Sequence, residues 1–226
     1  MNNITSRKLL VEEPVFDLEY VIEEKNKNEP STLYIQGPFL MSEQKNKNGR
    51  IYSLNEMVQE VNRYTNEMIK EKRSLGELNH PASVEVNPER ACHLVTELRQ
   101  EGNMFYGKSK ILSTPMGCLV RALVMDNVKL GISSRALGKL LPQGDAHAVS
   151  GFHLICADVV HDPSVPIAFV NGVMESKDWM LESNGSICEA YEVLESGIKT
   201  LPKNSAAREA LLKEQILKFI NNLNRK

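Results

Sequence analysis

The sequence predicts a mixed α+β core over about residues 15–172 and a helical extension over 173–226. Three observations carry this. Short β-prone apolar runs recur between residues 17 and 160, bounded by Gly, Pro and Asn. Two stretches within that region carry helix-start signals. After Gly172 the apolar residues fall at helical spacing.

The elements follow in order. DLEYVIE (17–23) alternates as a strand, and the polar stretch 24–31 turns the chain. LYIQGPFL (33–40) is a second strand, which Gly37-Pro38 is expected to break, and 43–50 is a polar loop. Ser53 reads as a helix N-cap with Glu56 three residues on. The helix behind it runs to about Ile69, with Met57, Val61, Tyr64 and Met68 on one face. Residues 71–89 read as irregular, and 90–98 suits helix or strand equally. NMFYGKSKIL (103–112) is strand-like, and 114–127 is a helix with Pro115 in its first turn. VKLGIS predicts a strand ending at a serine pair. GFHLICADVV (151–160) predicts a strand that HDPSVP stops. ESKDWMLES reads as a short amphipathic helix. Residues 206–224 read as a longer one, striped by Leu211, Ile216, Phe219, Ile220 and Leu223.

Composition narrows the class. At 226 residues the chain can bury a sizeable core. A net charge of −2 argues against nucleic acid as the main partner, since phosphate binding shows as a basic excess. No apolar run nears the roughly 18 residues of a bilayer span, and the N-terminus carries no apolar signal-like run. The cysteines, Cys92, Cys118, Cys156 and Cys188, show no CxxC pair. They read as buried thiols, neither a disulfide frame nor a zinc site. No metal and no cofactor is expected, because His161, Asp162 and Cys156 lack a ligand spacing.

Three polar residues stand in unusual settings. His80 lies in the loop GELNHP, biased toward an extended backbone by Pro81. Ser133 and Ser134 close the VKLGIS strand. Asp158 sits inside an apolar strand, where a carboxylate is costly unless partnered, or else faces solvent. Together they have the composition of a nucleophile, a base and an orienting acid. Only one of the two serines can face the histidine, because strand neighbours point to opposite faces. Spacing alone does not bring the three together.

The motifs, taken in order, resemble a known family. LYIQGPF with NKNGRIYS, GELNHP, GNMFYGKSKILSTPMG, VKLGISSRALG and ADVVHDPSVPIAF are similar to successive blocks of the prohead core proteases of tailed phages. The family's serine motif continues Gly-Leu-Gly after the arginine, where this chain has Ala136-Leu137-Gly138. The resemblance implies a fold like that of the herpesvirus assembly proteases, a closed, mostly antiparallel β-barrel surrounded by helices. The matches cover roughly residues 17–172, so 1–172 reads as a protease core with an N-terminal arm, while the helices of 173–226 match no named block and read as an extension that self-cleavage can remove.

It also implies roles. Ser133 becomes the nucleophile, His80 the base and Asp158 the third member, with Ser134 the rival serine and His161 the substitute third member. The remaining histidines compete less well: His153 lies along the strand two residues before Ile155, and His93 and His147 read as structural or exposed. Arg135 is left as either a helper of the oxyanion or a surface cation, and no arginine follows Asp158 in HDPSVP. The implied activity is that of a serine endopeptidase acting on scaffold and capsid proteins inside the immature head, in the cytoplasm of the infected host. The implied cleavage follows an aliphatic-x-Glu string. The chain itself holds Leu10-Val11-Glu12, Ile22-Glu23-Glu24, Ile187-Cys188-Glu189 and Leu212-Lys213-Glu214. A homo-oligomer is left open, and neither nucleic acid nor membrane is an expected partner. Two other readings stand beside this one. The first is an inert scaffold component with the same fold. The second is an α/β-type esterase, which would want glycine where Arg135 stands.

Overall fold

The computed structural model describes residues 6–12, 18–23, 31–81, 83–161, 178–181, 187–189, 213 and 217. Local chemistry sets each element. In the strand Met104–Ile111 (β7), Phe105, Gly107, Ser109 and Ile111 are buried while their neighbours are half-exposed. It pairs antiparallel with Ala91–Glu101 (β6) and Thr32–Met41 (β3). Residues 90–98, left open between helix and strand, therefore lie almost wholly in a strand. Glu19–Glu23 (β2) lies beyond β3, and the short Leu75–Glu77 (β5) lies beyond β6. Gly37-Pro38 does not break β3; it sits at a register shift between Pro38 and Leu40, where proline's missing N–H is tolerated.

The second sheet is built on the long hairpin of Gly131–Gln143 (β8) and Ala146–Val160 (β9). Ser6–Val11 (β1) pairs with β8, and Arg50–Tyr52 (β4) runs parallel to the start of β9. Asp178–Leu181 (β10) pairs with β1, and Ile187–Glu189 (β11) pairs with β10. The helix expected over ESKDWMLES is thus a strand at its centre. Of residues 206–224, only Lys213 and Leu217 are described, both in helical conformation.

Two α-helices are present among the described residues. Leu54–Tyr64 (α1) is capped by the Ser53 hydroxyl, which accepts from the Glu56 N–H. Its Met57, Val61 and Tyr64 enter the core, and one π-helical turn, Thr65–Ile69, extends it. Glu60 is buried with them, because its carboxylate accepts from the Leu154 N–H at 2.6 Å and pins the helix to β9. Pro115–Met125 (α2) opens with Thr114 as cap and Pro115 in its first turn.

Among the described residues the closed barrel expected from the resemblance is not formed. The strands divide into a six-stranded sheet, ordered β11-β10-β1-β8-β9-β4, and a five-stranded sheet, ordered β2-β3-β7-β6-β5. Neither sheet's last strand pairs with its first. Closure needs a continuous ladder of matched tilt and stagger. Here one parallel bridge, Leu78 to Val159, joins β5's end to β9. Among the described residues the fold is also mostly β, with α1 and α2 rather than a helical surround within 6–161. One apolar cluster binds the two sheets, drawing Leu33, Ile35, Val95 and Phe105 from one and Ile132, Leu154 and Val159 from the other. Each such side chain contributes roughly 1.5–3 kcal/mol on burial.

Gly76 lies where β5 approaches β9. A Cβ there would stand 2.0 Å from the Ala157 carbonyl oxygen and 2.1 Å from His93 Nε2. Gly76→Ala is expected to cost about 2 kcal/mol, since backbone must shift to admit it. The urea midpoint of the purified variant against wild type measures this.

Candidate active site

The site grows from the pairing of β8 with β9. Ser133 lies directly opposite Asp158, and Arg135 directly opposite Cys156. Alternation puts Ser133 and Arg135 on one face of β8, and the register puts Asp158 and Cys156 on the same face of β9. The histidine arrives from the other sheet. Leu78 bridges to Val159, and the Asn79 N–H donates to the Val159 carbonyl at 2.7 Å. Asn79 then takes φ 60°, a left-handed conformation that asparagine tolerates well. The chain turns there and delivers His80.

The three residues meet. His80 Nδ1 is 2.8 Å from Asp158 Oδ2, and His80 Nε2 is 2.7 Å from Ser133 Oγ. The Asp158 side chain is fully buried and that of His80 is 3% exposed. Burial pushes the Asp158 carboxyl upward. The hydrogen bond from His80, the Arg135 guanidinium and the Glu77 N–H outweigh it and hold the carboxyl below its ordinary range. An ionised carboxylate can only accept, so Nδ1 carries the ring proton. In the neutral imidazole that leaves Nε2 as the acceptor for the Ser133 hydroxyl. This is the tautomer a general base needs.

Ser134 belongs elsewhere. It is buried opposite Ala157, and its carbonyl accepts from the Glu12 N–H at 3.0 Å. The His161 alternative falls away too: it is exposed at the end of β9, while Asp158 holds the ring of His80. His153 is partly buried with Nδ1 3.5 Å from Glu60, His147 is exposed, and His93 is fully buried. Asp162 and the rest of HDPSVP lie outside the described residues. The Cys156 Sγ lies 3.3 Å from Asp158 Oδ1, and burial raises its thiol pKa well above the ordinary value. Cys92 is buried as expected, but Cys118 is exposed on α2.

Glu77 escaped the sequence reading, and the place of Arg135 was left open between two alternatives. Arg135 is no surface cation: it is fully buried, with Nε 3.0 Å from Asp158 Oδ2 and one terminal nitrogen donating to the Ser83 carbonyl at 2.5 Å. Its position two residues after Ser133 on a strand was the available signal. Glu77 is also fully buried, and its N–H donates to Asp158 Oδ1 at 2.9 Å. Its side chain accepts from the Asn87 N–H and lies 3.8 Å from Arg135. Nothing in the string GELNHP marked it.

The family model of the prohead core protein serine protease matches residues 5–178. The chain belongs to this prohead core protease family. The resemblance drawn from the five motifs is thereby borne out. The chain is 31% identical over 172 residues to the prohead core protein protease of Enterobacteria phage T4, spanning 74% of this chain and 81% of that one. It also matches the solved structure of the bacteriophage T4 capsid assembly protease with a TM-score of 0.65 at 30% identity, covering 70% of this chain and 99% of that one.

Burial lowers the pKa of His93 to about 4, against the pull of Asp158 and of a hydrogen bond to the Ala157 backbone. The unfolded chain takes up this proton near pH 6.5. The folded chain resists it until about 4, so this contribution is full above 6.5 and lost as pH falls between them. His93 should account for a decline of about 1 kcal/mol per pH unit across that window. Urea unfolding of wild type and His93→Gln between pH 7 and 4.5 tests this, with the flatter profile expected for the variant.

Proposed function

We propose that this chain is a serine endopeptidase of capsid maturation, with Ser133 as nucleophile, His80 as general base and Asp158 as the residue that orients His80. One observation carries the reading: a single imidazole is hydrogen-bonded to the Asp158 carboxylate on one side and to the Ser133 hydroxyl on the other. The hydroxyl attacks a peptide carbonyl as its proton passes to Nε2. The imidazolium is stabilised by Asp158 and then protonates the leaving amine, which leaves an acyl-enzyme. Water, deprotonated by the same Nε2, releases the second product. Ser133 is 1% exposed in this conformation, so attack requires the surrounding chain to open toward substrate.

The substrates are the scaffold and shell proteins of the immature phage head, and the place of action is inside that head within the host cell. The names of the T4 relatives support this. Cleavage follows an aliphatic-x-Glu string, and the chain's own strings differ in availability. Glu12 is buried, its carboxylate bound by Arg50 at 3.0 Å, by Asn46, by Asn48 at 2.9 Å and by the Tyr52 hydroxyl. Cleavage after Glu12 would have to break that cluster and remove β1 from β8. Processing after Glu189, at the end of β11, or after Glu214 leaves every described strand intact. The removable segment is therefore shorter than 173–226.

Ser133→Ala should lose at least about a thousandfold in cleavage of a glutamate-ended peptide. Ser134→Ala should stay within about tenfold of wild type, because its hydroxyl is not the one that meets His80. Loss of activity in Ser134→Ala with retention in Ser133→Ala would exchange their roles. Asp158→Asn should drop kcat by about 10⁴-fold, through loss of the productive tautomer. Steady-state assays on folded protein, checked by circular dichroism, decide all three.

A further inference from the structure

Beneath the triad lies a second set of charges that peptide hydrolysis does not by itself require. Arg135 is wholly buried and faces two carboxylates, Asp158 at 3.0 Å and Glu77 at 3.8 Å. Left alone with Asp158, this guanidinium would neutralise the charge that must stabilise the imidazolium. We propose that Glu77 is a positioning residue that takes up the charge of Arg135, so that Asp158 stays available to His80 when the ring is protonated. The inference rests on the role of His80 proposed above.

The charge balance supports it. Among the fully buried charges, two carboxylates and one guanidinium leave a single negative charge against the ring while His80 is neutral. Protonation of His80 brings the cluster to neutrality at the moment of acyl transfer. Buried charges interact strongly, so this balance matters more here than on a surface. The other titratable groups that interact with Asp158 are the Cys156 thiol on β9, Cys92 and His93 on β6, and the Tyr64 hydroxyl on α1. Burial holds Cys156, Cys92 and Tyr64 in their neutral thiol and phenol forms, and His93 as neutral imidazole near pH 7. One further cation, Arg90, reaches Glu77 from the half-exposed turn Pro88–Arg90 at 3.7 Å.

Glu77 also acts mechanically. Its N–H holds Asp158, and its side chain holds the Asn87 N–H. Arg135 holds the Ser83 carbonyl. The two ends of the loop that carries His80 are thus tied to the same ion pair. A mere structural brace would not alter how His80 titrates, and this separates the two roles.

The test is an NMR titration of the His80 imidazole in the full chain carrying Ser133→Ala, which stops self-processing. Adding Glu77→Gln should lower the titration midpoint by about one unit, since a nearby negative charge is lost. In the chain with Ser133 intact, the acid limb of kcat/KM should move the same way, with a loss near neutrality of about tenfold. A folded Glu77→Gln protein whose midpoint is unchanged or raised overturns the inference. Should Glu77→Gln fail to fold, Arg90→Ala serves in its place, because the residue is half-exposed. Loss of that cation should raise the midpoint by a few tenths of a unit, and no change overturns the proposal. The titration does not depend on catalysis. A wild type that cleaves no peptide would defeat the protease reading alone. A cleaving wild type with an unmoved midpoint would defeat this inference alone.

Discussion

A carboxylate buried where two sheets meet governs this structure. Asp158 is fully out of water, and an uncompensated charge there would cost several kcal/mol. It is compensated from both sheets. Arg135 and Cys156 reach it from β8 and β9, and the Glu77 N–H and His80 reach it from the segment that leaves β5. Much nearby geometry follows from this requirement. Gly76 is bare because β5 must approach the Ala157 carbonyl. Asn79 adopts a left-handed backbone because the chain must turn at once after bonding Val159.

Register matters as much as burial. Ser133 and Asp158 are direct partners across an antiparallel pair, so their separation is set by the ladder rather than by flexible loops. A slip of one residue would send one of them to the opposite face. The register shifts in the hairpin fall only beyond Arg135, between Arg135 and Ala136 and again before Lys139. The paired run from Gly131 to Arg135 is therefore regular where Ser133 and Asp158 face each other, and irregular where the hairpin must bend.

The three residues that meet were more legible in the sequence than the fold was. Ser133, His80 and Asp158 were each marked by context: a serine pair on an apolar strand, a histidine before proline, a charge within an apolar run. The helices α1 and α2 were legible from Ser53 and Pro115, because capping is local chemistry. The barrel was not legible, since closure depends on which edges pair, and strand β5 is three residues long within a stretch read as irregular. The strand Asp178–Leu181 was mistaken for helix because its partner, β1, lies some 170 residues away and lends it hydrogen bonds that no local window contains. Glu77 carried no signal of its own and Arg135 suited two readings, and only pairing across β5, β8 and β9 brings the two together in the interior.

The departure from a closed barrel bears on how the three side chains meet. In a continuous ladder the proposed base and the proposed nucleophile would be locked by the same hydrogen bonds. Here Ser133 and Asp158 belong to the six-stranded sheet, whereas His80 follows directly from β5 of the other. The two are joined by the Leu78 bridge, the Asn79 bond and the charges around Arg135. Buried ion pairs contribute little net stability compared with apolar packing, so their value lies in fixing one arrangement among several. The apolar cluster holds the sheets together, but it is non-directional and tolerates small sliding. The hydrogen bonds of Asp158 do not tolerate it, since a displacement of even 1 Å would carry the imidazole out of line with Ser133. The same contacts that compensate a buried carboxylate therefore align the histidine with the serine.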